Sequence, residues 1–182
     1  MNQTTLKAEP GKQEIFIFRE FEAPRDLVFR TLTDPVLLAQ WMNPFNMTSE
    51  IHRYDAINGG AYHYTQTDPK GGKHVYSGAF HEVTAPERII RTFEYLNLPE
   101  RGHVHLDTFR LEALPGNRTR LTVHSVYPSV SDRDTATRPG MNTRSLKTTL
   151  AGSCPLPTAP GAPTSTSSFP KHDETGQRLT GR

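Results

Sequence analysis

The stretch from Phe21 to Pro44 leaves the chain few local options, because Pro24, Pro35 and Pro44 divide it into two short apolar pieces. Pro24 stands where a first helical residue belongs: its missing N–H is not needed there and its φ is already helical. Leu27, Val28, Phe29 and Leu32 follow at roughly helical spacing. Asp34 is placed to cap a second helix, with Pro35 in its first turn and Leu37, Leu38 and Trp41 on its apolar face. Helices this short do not hold themselves in water, so their apolar faces must pack on something else.

The rest of the chain supplies strands. Glu14–Phe21 alternates, with Ile15 and Ile17 on one face and Phe16 and Phe18 on the other. Met47–Tyr54 is a weaker strand, and Asn58-Gly59-Gly60 reverses the chain. Ala61–Gln66 places Tyr62 and Tyr64 together. In His74–Val83, Tyr76, Gly78 and Phe80 share a face. Turns at Asp68–Gly72 and Thr84–Glu87 flank that strand, and Arg88–Tyr95 follows. Val104–Ala113 and Arg118–Tyr127 form a final hairpin across Leu114–Asn117, with Leu121 and Val123 on its apolar face. This predicts an α+β fold: a curved antiparallel sheet of six to seven strands, with two short helices after the first. Short turns favour a meander, and its apolar face needs a cover. A long helix after the last strand is the natural cover.

The C-terminal third does not supply it plainly. Asp132-Arg133-Asp134 can open a helix, but Pro139-Gly140 follows at once. Met141–Ala151 has apolar positions at Met141, Leu146 and Leu150, weakened by Thr148 and Thr149. From Gly152 the chain is mostly Ser, Thr, Pro and Gly, with five prolines between Pro155 and Pro170. Such composition cannot bury enough apolar surface to offset ordering entropy. The expected organisation is a flexible N-terminus over residues 1–13, a domain over 14–151 and a disordered tail over 152–182. Mean hydropathy of −0.61 fits a chain partly outside a core.

Charge and cysteine content exclude some functions. Residues 1–130 carry 14 basic and 15 acidic side chains, and residues 131–182 carry 7 and 4. A near-neutral domain without a basic stripe is a poor nucleic-acid binder. No apolar run is long enough for a membrane helix, and Met1–Gly11 lacks an apolar leader. The single Cys154 permits no internal disulfide, so a cytoplasmic protein is expected.

Phe21-x-Ala23-Pro24, Val28-Phe29, Thr33-Asp34-Pro35, Leu38, Trp41 and Pro44 resemble the opening of the START-like (SRPBCC) helix-grip superfamily. The branch is the one named after the activator of heat-shock-protein-90 ATPase. Gly59-Gly60, Ser77-Gly78, Pro86-Glu87-Arg88, Thr119-x-Leu121-Thr122, Asp132-Arg133-Asp134 and Gly140-Met141 extend the match in order. The resemblance covers roughly residues 14–141. It implies a curved antiparallel sheet gripping a long C-terminal helix around an apolar cavity. Gly-Met opens that helix in the family, with an acidic start and an Arg-Leu apolar stripe, and both are missing after Met141. An abrupt loss at one point is what a shifted reading frame produces, so a frameshift near the Met141 codon is expected; a divergent tail is the alternative. Resequencing that returns an intact frame with these residues would overturn it. A domain without its grip helix would expose a large apolar patch and be marginal or aggregation-prone.

Three sets of residues bear on function. Trp41, Tyr62, Tyr64, Tyr76, Phe80, Phe93, Leu111 and Val123 are candidates to line a ligand cavity, against the alternative of a filled core. His103-x-His105 has a spacing that metals use, and Asp107 shares its face, but four ligands are not evident; a solvated face is the expectation. Arg91 and Glu94 are the nearest to an acid–base pair, and a solvated face is again expected. No nucleophile elbow, phosphate loop or His-Glu-x-x-His is present. The expected function is a binding module for a small hydrophobic or amphipathic molecule, with no metal or nucleotide cofactor. A chaperone-associated interaction role and a cyclase-like or hydrolase-like enzyme are the alternatives.

Overall fold

A computed structural model of the chain describes residues 4–43 and 46–137. The chain-order elements are β1 (Thr5–Lys7), β2 (Glu14–Phe21), α1 (Arg25–Thr33), α2 (Pro35–Trp41), β3 (Thr48–Tyr54), β4 (Ala61–Thr67), β5 (Lys73–Thr84), β6 (Arg88–Tyr95), β7 (His105–Leu114), β8 (Arg118–Val126) and α3 (Val130–Thr137). All eight strands form one antiparallel sheet in the order β1-β2-β8-β7-β6-β5-β4-β3. The fold is α+β, as expected, with the meander running from β3 to β8 and β2 returning beside β8.

The strand count exceeds the expected six to seven because of β1. Its three residues are too few for alternation to register, yet Thr5, Leu6 and Lys7 pair with Phe18, Ile17 and Phe16. Leu6 packs against the core. The Tyr127 N–H donates to the Gln13 carbonyl (2.8 Å), and the Gln13 side chain donates to the Pro128 carbonyl (2.6 Å). Thr5–Lys7 and Gln13 are thus bonded to β2 and to the end of β8.

The two short helices form as the prolines dictate, with one offset. Pro24 is the N-cap of α1 rather than its first helical residue, and its carbonyl accepts from Leu27 and Val28. Asp34 caps α2, its Oδ1 accepting from Val36 N (2.9 Å) and Leu37 N (3.3 Å). Val28, Phe29, Leu32 and Leu38 are buried. They join Ile15, Ile17, Phe109, Leu121 and Val123 from the sheet in one core. The buried Thr119 hydroxyl donates to the Ala23 carbonyl (2.7 Å), tying β8 to the chain entering α1.

A bulge in β5 aims side chains at the core. Phe80 pairs with Arg91, but Glu82 pairs with Ile90, so His81 is an extra residue. Phe80 and Val83 both pack inward as a result, and Glu82 is turned to Arg88 (Oε1 to Nε 2.8 Å).

At the other end, Ser129 caps α3: its Oγ accepts from Asp132 N (3.0 Å) and donates to Asp132 Oδ2 (2.7 Å). The expectations for Met141–Ala151 and for the tail 152–182 lie outside the described residues.

Candidate functional site

Alternation on five neighbouring strands, β3 to β7, puts rings on one face. Tyr54 (β3) meets Phe80 edge-on at 5.3 Å, and Tyr62 and Tyr64 (β4) stack at 6.0 Å. Tyr64 stacks on Tyr76 of β5 at 5.0 Å, and Tyr76 contacts Phe93 and Tyr95 of β6 at 5.5 and 5.2 Å. Phe93 meets His105 of β7 at 4.9 Å, and His105 stacks on Tyr127 at 4.5 Å. This continuous belt borders a cavity of about 340 Å³, whose other walls include Leu32, Leu38, Met42 and Ile89. Leu98, His103 and the α3 residues Ser131, Asp132, Thr135 and Ala136 form the side nearest α3. Burial pushes the hydroxyls of Tyr62, Tyr64, Tyr76 and Tyr127 above the ordinary phenol range, so these tyrosines stay neutral.

Of the candidate lining residues, Tyr64, Tyr76, Phe80 and Phe93 are in the cavity wall. Tyr62, Leu111 and Val123 are in the packed core behind it. Tyr62 is held there by its hydroxyl, which donates to the Thr92 carbonyl (2.7 Å). The Trp41 side chain lies outside the described residues.

The polar residues are expected on solvated faces, but Arg91, Asp107, His103 and His105 all border the cavity. On β6, Arg91 shares the parity of Ile89, Phe93 and Tyr95, so it enters the cavity wall with 14% of its side chain exposed. On β7, Asp107 shares the parity of Phe109 and Leu111 and is 1% exposed. Asp107 Oδ2 lies 3.6 Å from Arg91 Nε, and its Oδ1 lies 3.4 Å from His105 Nε2 and accepts from Ser125 Oγ at 2.5 Å. Burial alone would raise the Asp107 pKa; His105, Arg91 and the Ser125 hydroxyl together outweigh it and hold the carboxyl below its ordinary range. Burial also works against the Arg91 charge, but the Asp107 carboxylate beside it helps keep the guanidinium protonated. Glu94 does face away, towards Arg101 (3.0 Å) and Gly102 N (3.2 Å).

The histidines separate. His103 and His105 both reach the cavity. His124, opposite Thr108 as the hairpin spacing predicts, stacks on Phe16 at 4.3 Å and pairs with Glu14 at 2.8 Å. Among the described residues no three metal-type ligands cluster.

His103 Nδ1 lies 2.6 Å from Asp132 Oδ1, joining the β6–β7 loop to α3 beside the cavity. The Ser129 hydroxyl and then His103 hold the Asp132 carboxyl below its ordinary value. A lowered carboxylate pKa contributes stability above the unfolded value, near pH 4, and loses it as pH falls through the folded value. Asp132→Asn is therefore expected to cost about 1 kcal/mol at pH 7. The difference from the parent chain should be smaller at pH 3 than at pH 7 in urea titrations. A gap of equal size at both pH values would show that ionised Asp132 contributes nothing.

A curved antiparallel sheet, with helices against one face and a cavity with a polar wall between them, is the arrangement of a helix-grip protein. The family model described as "Activator of Hsp90 ATPase homolog 1-like protein" matches residues 22–150, and the chain belongs to that family. The match continues past Met141, where the motif resemblance ended, and so does not support a frame lost at that codon. A Mycobacterium smegmatis protein of similar fold is 20% identical, with a TM-score of 0.75 over 87% of this chain and 99% of its own. An Arthrobacter aurescens protein is 22% identical, with a TM-score of 0.71 over 81% and 91%. A Plasmodium falciparum protein described as an HSP90 activator is 20% identical, with a TM-score of 0.51 over 72% and 84%. No curated protein sequence matches the chain. Among the described residues no helix is long and apolar enough to cross a membrane.

Proposed function

We propose that the chain is a binding module that holds one small amphipathic molecule in the cavity between the sheet and the helices. The observation that carries this reading is the ring belt around about 340 Å³ of space with one polar wall. That volume falls within the range of small-molecule sites, which are mostly apolar with a few oriented polar groups. The apolar body of the ligand packs on Tyr64, Tyr76, Phe80 and Phe93, and its polar end meets Arg91, His105 and Asp107. The proposal takes the chain to work in the cytoplasm, in keeping with its single cysteine.

The family description and the Plasmodium neighbour support a competing reading, contact with a chaperone, which asks for a surface and makes no use of a cavity. An enzyme reading requires an inward titratable pair, and His105–Asp107 at 3.4 Å meets that requirement. Native mass spectrometry of the full chain, with circular dichroism on the same sample, separates these. A folded chain carrying a stoichiometric small molecule is the expected result. A folded chain that is empty, and stays empty when incubated with a panel of aromatic and alicyclic compounds, would overturn the binding reading and favour the chaperone one. A bound compound released with altered mass would move the site to the enzyme class.

A further inference from the structure

A molecule held as the binding reading above requires has to cross the rim of the cavity. Leu32, Leu38, Phe80, Ile89 and Phe109 line the interior and are buried. Towards the β6–β7 loop (residues 96–104) and α3 the lining opens to water. Ser131 is exposed, and the side chains of His103 and Asp132 are 37% and 22% exposed. Among the described residues, the rim therefore lies along the seam between that loop and α3.

The two lips of the seam are built differently. The loop is braced on the sheet: Leu96 N donates to the Val75 carbonyl (2.8 Å), while Asn97 Oδ1 accepts from Val75 N (2.6 Å) and Asn97 Nδ2 donates to the Lys73 carbonyl (3.2 Å). Glu94 holds its other end through Arg101 and Gly102 N. The α3 lip starts at the Ser129 cap, whose hydroxyl donates to Asp132 Oδ2. The other oxygen, Oδ1, is left to reach across the seam, 2.6 Å from His103 Nδ1. Asp132 is ionised at neutral pH, so Nδ1 carries the proton and donates it. Cap and bridge use different oxygens, so the bridge can break while the first turn of α3 stays capped. Among the described residues, the other side-chain hydrogen bond of α3, from Thr137 to the Asp134 carbonyl (2.9 Å), runs within the helix.

We propose that the His103–Asp132 bond is a strap across the mouth of the cavity, and that its opening sets how fast the bound molecule enters and leaves. The strap holds the two lips together whether the cavity is filled or empty. Removing it therefore lowers the barrier to passage in both directions and changes the equilibrium affinity much less.

The test uses stopped-flow fluorescence on the full chain at pH 7 with N-phenyl-1-naphthylamine. This probe is uncharged, so the Asp132 carboxylate does not steer it. His103→Phe keeps a ring in the wall and leaves the Ser129 cap in place. Its entry and exit rates are both expected to rise about threefold to tenfold, the scale of one charge-assisted bond that is partly exposed. Asp132→Asn, which weakens the same bond from the other side, should shift both rates in the same direction. A faster exit with unchanged entry would overturn the strap and make His103 a simple contact to the probe. Unchanged rates in both variants would overturn it outright. Hydrogen exchange followed by mass spectrometry gives a readout that needs no ligand. In His103→Phe the amides of residues 96–103 and 130–136 should exchange faster, with those of β2 and β8 unaltered. Unaltered exchange at the seam would overturn the strap even if the probe binds. Faster exchange at the seam, with no probe bound by parent or variants and an empty chain in native mass spectrometry, would remove the binding reading instead, and with it any passage for the strap to control.

Discussion

Replacing Asp107 by alanine is expected to destabilise the domain by about 3–5 kcal/mol, the range for removing one partner of a buried ion pair. For a domain of this size that is a fall of roughly 10–20 °C in thermal midpoint. The cost arises less from a lost attraction than from what remains. Arg91 stays in the wall with a full charge, with Nε already lacking an acceptor, and Ser125 loses the oxygen it donates to. Arg91→Met should be damaging for the mirror reason, since it leaves the carboxylate with only His105 and Ser125. The double variant R91M/D107L removes both charges and keeps the space filled, so its loss should be well below the sum of the two single losses. A double-mutant cycle by urea denaturation reads this directly. Strict additivity, or a loss under 1 kcal/mol for Asp107→Ala, would mean that water or a shifted backbone already screens the pair.

The second large effect is expected at Gly78, where a single methyl group has nowhere to go. A Cβ there would stand 2.0 Å from the Thr92 carbonyl oxygen and 2.6 Å from the Tyr62 ring carbon and hydroxyl. Gly78 is opposite Tyr62 in the β4–β5 register, and the Tyr62 hydroxyl donates to that same Thr92 carbonyl. Backbone is the obstacle on one side and a fully buried ring on the other, so neither yields easily. Gly78→Ala should cost about 3 kcal/mol or more, at the upper end for overpacking. It should also blunt the near-ultraviolet tyrosine signal. Gly71→Ala is the comparator. Gly71 has φ +85 but open space around it, so only backbone strain is added, about 1 kcal/mol. Equal losses at the two positions would show that the Tyr62 contact is slack.

Strand parity explains both what was legible in the sequence and what was not. Glu14–Phe21 and Arg88–Tyr95 are strands with the bounds that alternation and turn residues predict, and the prolines mark both helices to within a residue. Much of the aromatic wall follows from the same parity, which puts Tyr64 on one face of its strand and Tyr76 with Phe80 on one face of the next. Arg91 and Asp107 followed the same rule, but their charge argued for solvent, and that argument prevailed. The available signal was a charged residue on the apolar parity of each of two adjacent strands, opposite in sign and, from the register, directly paired. Burial of Tyr62, Leu111 and Val123 behind the wall depends on sheet curvature, which no local pattern carries. β1 went unseen because three residues cannot display a period of two.

That short strand also shapes how copies of this chain can meet. An eight-stranded sheet that does not close has two free margins, and free margins recruit further strands from neighbouring molecules. Here one margin is β1, three residues long and ending at Lys7, and it covers only Phe16–Phe18 of the longer strand beneath it. The other is β3, where the register slips at His52 between exposed Glu50 and Arg53. A newcomer would find a brief ladder at one side and a kinked, charged one at the other. Among the described residues, templated growth by strand addition is thereby discouraged at both limits of the sheet.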